Sequence, residues 1–139
     1  MSTINASAMT GAVGITPATY SSTQTGTGVA VPAGCDHVVV TFAAGTFTSS
    51  AAMAVTVQSS DTLGSGYTAI TGAAFASVSS SNDVAVYQAV VRLHGNPGFV
   101  RIVSTYSGSG NCPMAVSFGF TSYQYAEGNE YAFNVTDGN

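Results

Sequence analysis

A hydrophobic pattern with a period of two is the feature that most constrains this chain. In residues 51–58, Met53, Val55 and Val57 alternate with small or polar side chains. Such alternation puts one set of side chains on each face of a strand, whereas a helix requires a period of 3.6. Because the pattern recurs and no segment has a convincing helical period, the sequence predicts an all-β protein with no helix longer than about two turns.

Turn-forming residues divide the chain into short strands. Clusters of glycine, proline, asparagine and serine, such as residues 94–98 (HGNPG), interrupt the apolar segments. We predict strands at residues 29–31, 37–42, 51–58, 67–70, 84–93, 99–106, 114–125 and 131–135. This arrangement indicates an antiparallel β-sandwich, jelly-roll-like in organisation, with a β-barrel as the alternative. We expect the interior to contain Val38, Val40, Met53, Val55, Val57, Val116 and Phe118.

One predicted strand lacks a clear alternation. Residues 84–93 (VAVYQAVVRL) form a nearly continuous apolar run. A strand of this kind is either buried on both faces or placed at an interface. The sequence leaves both interpretations open.

The first 28 residues have little periodicity of any kind. Glycine and proline interrupt them repeatedly, which predicts an extended N-terminal arm at residues 1–28, with one edge strand near Tyr20. Residues 29–139 then form the sandwich domain. We expect the arm to contact a neighbouring chain. Its larger apolar side chains, the candidates for that interface, are Ile4, Met9, Val13, Ile15 and Tyr20.

The chain carries very little charge, and this restricts its partners. Charged residues make up 6% of the sequence, against roughly 25% in an average soluble domain. Lysine is absent, the basic side chains are Arg92 and Arg101, and the net charge is −4. Binding to nucleic acid or to an anionic membrane needs several basic side chains facing phosphates. We therefore expect no binding to nucleic acid and none to membranes.

No combination of residues points to catalysis. His37 and His94 fall at a strand start and in a turn, and no Gly-x-Ser-x-Gly motif surrounds a nucleophilic serine. The acidic residues, predicted to lie in loops or near the C-terminus, are Asp36, Asp61, Asp83, Glu127, Glu130 and Asp137. Spacings typical of zinc or calcium ligands are absent from the sequence. We predict that the protein is not an enzyme and has no catalytic residue, metal or cofactor.

The cysteines and the first residues bear on the compartment. Cys35 and Cys112 are too few for a disulfide framework, so we interpret them as buried reduced thiols, with a disulfide as the alternative if strands bring them together. The N-terminal residues lack the features of a signal peptide, and no apolar run approaches the ~20 residues of a spanning helix. We expect synthesis in a cytoplasm and a soluble product.

Arg101 is the most informative single residue. It interrupts the apolar segment 99–103 (FVRIV) in a chain that has almost no other charge. It is either an outward-facing member of an alternating strand or a contact at an interface. Because a buried, unpaired guanidinium is costly, we expect a carboxylate, such as that of Asp61 or Asp83, or a set of backbone carbonyls beside it, in the same chain or the next.

Two groups of short motifs occur together in the middle of the chain. The first is residues 55–61 (VTVQSSD) followed by residues 66–70 (GYTAI). The second is residues 99–103 (FVRIV), followed by residues 108–110 (GSG) and 116–118 (VSF). Together they resemble small head-decoration (cement) and minor capsid proteins of tailed bacteriophages.

The resemblance implies a β-sandwich bound to the outside of a capsid, as a trimer or dimer, with no enzymatic activity. Its partners would be the major capsid protein and other copies of the chain, and its location would be the virion surface after synthesis in the host cytoplasm. The absence of lysine agrees with this expectation, because monomers commonly protect exposed sheet edges with that residue.

Two other functions remain open. A carbohydrate- or surface-binding sandwich would present an aromatic platform, which Tyr67, Tyr106, Tyr123 and Tyr125 could form, although the chain has no tryptophan. A tail or other fibre-type virion subunit would have the same sequence features as a decoration protein. Whether the tyrosines cluster on one face distinguishes the first alternative from a structural subunit.

Overall fold

The computed structural model describes residues 10–95 and 97–121. This part of the chain contains strands, turns and loops and no helix, which confirms the all-β prediction. The strands are β1 (Thr10–Tyr20), β2 (Gln24–Thr25), β3 (Val29–Ala30), β4 (His37–Ala44), β5 (Ala52–Ser60), β6 (Thr68–Ala74), β7 (Ala85–Arg92), β8 (Phe99–Ser107) and β9 (Cys112–Thr121).

The strands form two antiparallel sheets that pack against each other. The first sheet has the strand order β1-β9-β4-β7, and the second has the order β2-β8-β5-β6, with β3 also paired to β8. The sheets remain separate and do not close on each other. The β-sandwich prediction is therefore confirmed, and the β-barrel alternative is wrong.

Alternating side chains of the central strands form the core between the sheets. In β4 the burial alternates at every residue, with Val38, Val40 and Phe42 inside. The ring of Phe42 meets that of Phe75 edge-on, with 6.0 Å between centroids. Every residue predicted to lie inside is at most 3% exposed, which confirms that prediction. Each such aliphatic side chain stabilises the fold by about 1.5–3 kcal/mol on burial.

The segment predicted to be an N-terminal arm contains two strands of the sandwich. β1 pairs with β9, and β2 pairs with β8. Gly14 lets β1 approach the second sheet, because a Cβ atom there would lie 2.5 Å from the Ile102 Cγ1 atom. The register of β1 shifts between Val13 and Ile15 and again between Ile15 and Ala18, which removes the alternation that identifies a strand in a sequence. Residues 1–9 lie outside the described part.

Strand β7 corrects one interpretation of the apolar run at residues 84–93. It lies at the edge of the first sheet, and Val86 and Val90 are each 66% exposed. Burial on both faces is therefore wrong, because the outer face of β7 is uncovered in the described chain. Placement at an interface stays a prediction. The strand predicted at residues 131–135 lies outside the described residues.

Candidate interaction surface

Most of the outer face of the first sheet carries no charged side chain. Because strand residues alternate between faces, the residues of β4, β7 and β9 that do not enter the core point away from it. The register places Arg92, His37 and Thr121 in a row at one end of the sheet. The next three rows contain no acid or base: Val90–Val39–Gly119, Gln88–Thr41–Ser117 and Val86–Ala43–Ala115. We call these residues the uncharged face.

Valine side chains on and beside the uncharged face are left in water. Val86 and Val90 are 66% exposed, and Val13, which pairs with Ser117 from β1, is 59% exposed. Full burial of a valine side chain is worth about 1.5–3 kcal/mol relative to exposure. Covering these residues with another apolar surface would therefore favour binding. Contiguous exposed apolar surface commonly marks an interaction site. The uncharged face is therefore the candidate site of this protein.

A shallow depression of about 500 Å³ extends the uncharged face towards the end of the sheet. Small side chains of β1, β4 and β9 line it, among them Pro17, Ala43, Pro113 and Ala115. Its lining contains no acid, base or thiol. The depression can therefore receive apolar side chains of another molecule, but it offers no group for proton transfer.

The residue before β7 has a strained backbone. Val84 has a φ angle of 54°, a left-handed conformation that β-branched residues rarely adopt. The Val84 N–H donates to the Gly45 carbonyl at 3.2 Å. Beside it, the Phe47 N–H donates to Asp83 Oδ2 at 2.7 Å. The Val84 side chain itself is 68% exposed and does not pack inside the sandwich.

The interface residues predicted in the N-terminal segment differ in their exposure to solvent. Val13 is exposed beside the uncharged face, and Tyr20 is half-buried with its hydroxyl donating to the Thr16 carbonyl. Ile15 is 4% exposed and packs in the core, so its side chain is not available to a neighbouring chain. Ile4 and Met9 lie outside the described residues. A contact between this segment and another chain stays a prediction.

Arg101 lies on the outer face of the second sheet, away from the uncharged face. Its Nε donates to Gln58 Oε1 at 2.8 Å, and its Cζ lies 4.2 Å from the centroid of the Tyr67 ring. The guanidinium is therefore held by a side-chain amide and an aromatic ring. In the described residues these two groups stand where a carboxylate or backbone carbonyls were expected, and a carboxylate of a neighbouring chain stays a prediction. A role of Arg101 at an interface stays a prediction.

Two of the tyrosines predicted to form an aromatic platform, Tyr67 and Tyr106, do not lie on a common face. Tyr67 covers Arg101 on the outer face of the second sheet, and its hydroxyl donates to the Leu63 carbonyl at 2.7 Å. Tyr106 packs against the core from the inner face, and its hydroxyl donates to the Gly110 carbonyl at 3.0 Å. These rings therefore occupy opposite faces of one sheet. Tyr123 and Tyr125 lie outside the described residues.

The titratable side chains are dispersed rather than clustered. His37 Nδ1 donates to Asp36 Oδ1 at 2.8 Å, at the start of β4. His94 is exposed in the turn after β7. Within residues 10–95 and 97–121, no group of His, Cys, Asp or Glu side chains is arranged to hold a metal ion.

Both cysteines are free, and the fold keeps them apart. Cys35 precedes β4, whereas Cys112 begins β9 at the opposite end of the same sheet. The length of β4 separates them by roughly 25 Å, far more than the about 7 Å between Cα atoms that a disulfide can bridge. Burial raises the pKa of both thiols, and the neighbouring Asp36 raises that of Cys35 further. The disulfide alternative is therefore wrong within one chain.

Comparisons with known proteins found no match from which a role for this site could be inferred. No protein-family model, curated protein or solved structure matches the chain. The described residues contain no helix long and apolar enough to cross a membrane. The uncharged face is thus defined by its own geometry.

Proposed function

We propose that this chain is a non-enzymatic structural subunit of a virus particle, which decorates and stabilises the outside of a bacteriophage capsid. It binds the major capsid protein and other copies of itself, and it is located on the virion surface. The observation that carries the proposal is the uncharged face, on which Val86 and Val90 stay two-thirds exposed.

The chemistry of the uncharged face favours a protein partner. Removing an ion from water costs several kcal/mol unless it finds a partner, and this face has no ion to remove. Its valines and alanines gain free energy whenever another apolar surface covers them. The sheet supplies a broad, regular surface rather than a deep pocket for a small molecule. These properties support docking of one protein surface on another.

A direct test is quantitative mass spectrometry of virus particles purified from cultures that produce this chain. We expect the chain to copurify with the capsid in many copies per particle. Recovery of the chain only in the particle-free fraction would contradict the proposal.

A matched pair of variants tests the uncharged face itself. Thr41 and Thr56 are both half-buried residues of central strands, one on the outer face of each sheet. Thr41→Glu places a carboxylate in the middle row of the uncharged face, so we expect it to abolish attachment to particles, because the carboxylate would be buried without a partner. Thr56→Glu should leave attachment intact. Equal attachment of the two variants would exclude the uncharged face as the docking surface.

A further inference from the structure

Of the four sheet edges in the described residues, three are protected against pairing with a further strand, and one is not. β1 carries Pro17 and two register shifts, which are devices that prevent a further strand from pairing. β6 has a register shift and a left-handed Gly72, with a φ angle of 79°. On the opposite edge of that sheet, β2 and β3 have only two residues each. Irregular or very short strands offer little backbone for another chain to pair with.

β7 has none of these devices. It pairs with β4 from His37↔Arg92 to Ala44↔Ala85 without a register shift, and it contains no proline, glycine or lysine. Its one charged residue, Arg92, is the last of the strand. β7 is thus a long, regular edge that can accept another strand.

The backbone of β7 shows which residues would form that pairing. The Leu93 N–H donates to the Asp36 carbonyl, so odd-numbered residues of this strand direct their backbone groups towards β4. Orientation alternates along a strand, so Val86, Gln88 and Val90 direct their N–H and C=O groups outwards. The residues with outward backbone groups are also those with side chains on the uncharged face.

We propose that β7 of one copy pairs antiparallel with β7 of a second copy, about a two-fold axis at Gln88. The pairing joins the first sheets of both copies into one continuous sheet and extends the uncharged face across the dimer. This inference deepens the proposed function, on which it rests for the premise that the chain binds its own copies.

The outward-facing residues of β7 form a symmetric series, valine–glutamine–valine, at positions 86, 88 and 90. With the axis at Gln88, Val86 lies opposite Val90 of the second copy, and Gln88 lies opposite its own equivalent. The outward backbone groups of these residues then form about six hydrogen bonds between the strands. Moving the axis to residue 87 or 89 places Gln88 against a valine instead. The pairing of like with like therefore selects the register.

Charges at the two ends of the strand select the antiparallel direction. Asp83 lies just before β7 and Arg92 at its end. Antiparallel pairing brings Arg92 of one copy to the end that contains Asp83 of the other, whereas parallel pairing would place arginine beside arginine. Attraction between opposite charges, and repulsion between like charges, fixes the orientation of an interface.

Cysteine cross-linking tests the register. Paired residues of this type have Cα atoms about 5.5 Å apart, within the range of a disulfide. We expect Gln88→Cys, in a Cys35→Ser background, to give a cross-linked dimer on mild oxidation. Val86→Cys alone should not cross-link, but it should do so when mixed with Val90→Cys. Cross-linking of Val86→Cys to Gln88→Cys instead would overturn the register.

A charge on the edge tests the pairing without any cross-link. Val86→Lys adds the residue that commonly protects exposed edges, and the exposed position should leave the fold intact. We expect roughly a tenfold or greater loss of dimerisation in sedimentation experiments, since the lysine would replace a valine in both Val86–Val90 cross-strand pairs of the dimer. Val13→Lys, on the opposite edge of the sheet, is the matched control and should dimerise as the unmodified chain does.

The outcomes separate this inference from the proposed function. If the purified chain stays monomeric at all concentrations but copurifies with particles in many copies, the β7 pairing is wrong and the function stands. If it forms the cross-linked dimer but is absent from particles, the pairing stands and the proposed function is wrong.

Discussion

On the outer face of the second sheet, polar side chains contact one another. Arg101, Gln58 and Tyr67 form a connected group in which a guanidinium bonds to an amide and lies over an aromatic ring. On the outer face of the first sheet, Val86 and Val90 instead remain 66% exposed, and Val84 beside them has an unfavourable backbone conformation. The sheets share one architecture, but their outer surfaces differ in what the side chains contribute.

This difference teaches how a chain with few charges divides its surface. Contacts within the second sheet contribute to the stability of the single chain. On the uncharged face, Gln88 Nε2 donates to Thr41 Oγ1 at 3.1 Å, but the exposed Val86 and Val90 contribute little to that stability. These valines gain free energy when another molecule covers them. Substitutions on the second sheet should therefore change the free energy of unfolding, whereas those on the uncharged face should change association.

The largest effect on unfolding should come from the second sheet. Arg101→Ala removes a hydrogen bond and a cation–π contact, so we expect a loss of about 1–2 kcal/mol in the free energy of unfolding by urea titration. Arg101→Lys should restore only part of it, since lysine lacks the Nε that bonds to Gln58. Arg92→Ala, an exposed arginine of the first sheet, is the control. Equal losses for both arginines would remove the contrast between the two faces.

A smaller effect of opposite sign should come from Val84. Val84→Asn substitutes a residue that tolerates the left-handed conformation, so we expect a gain of about 1 kcal/mol in thermal unfolding of the single chain. The same substitution at Val86, within the regular strand, should be slightly destabilising because asparagine is unfavourable in strands. A loss of stability in Val84→Asn would mean that the valine side chain stabilises the fold after all.

The smallest effect on unfolding should come from Val90. Val90→Thr keeps the shape of an exposed side chain and makes it more polar, so the unfolding free energy should change by less than about 0.5 kcal/mol. Dimerisation should weaken measurably in the same preparation. If stability fell and association did not, the uncharged face would belong to the fold rather than to an interface.

Much of the architecture followed from the sequence because the central strands alternate regularly. Met53, Val55 and Val57 face the core as their spacing required, and the turns fell where glycine and proline are concentrated. β1 was not recognised in full, because its bulges break the alternation and Gly14 has no side chain to mark its buried position. Close approach to Ile102 is a tertiary requirement that no local pattern records.

The sequence indicated only part of the candidate site. The apolar run at residues 84–93 indicated an unusual strand, but β7 could be assigned to a sheet edge only from its pairing partners. Thr41 and Ala43 belong to the uncharged face because β4 lies beside β7, and this neighbour relation joins residues about 45 positions apart in the chain. The partner of Arg101 was missed for the same reason, since Gln58 faces it from another strand.

The pairing of β1 with β9 also sets the earliest time during synthesis at which the complete first sheet can form. Thr10 pairs with Phe120, so the first described strand is synthesised about 110 residues before its partner. At the usual rates of synthesis this delay is roughly 5–20 s, and long-range pairings are slow to form in any case. β4 and β7 can pair earlier, because β7 follows β4 in the chain before β9 is made. Newly made chains therefore hold an open edge on both sides of the β4–β7 pair until β9 inserts beside β4. One of these edges is β7, the strand that we propose to pair between finished copies.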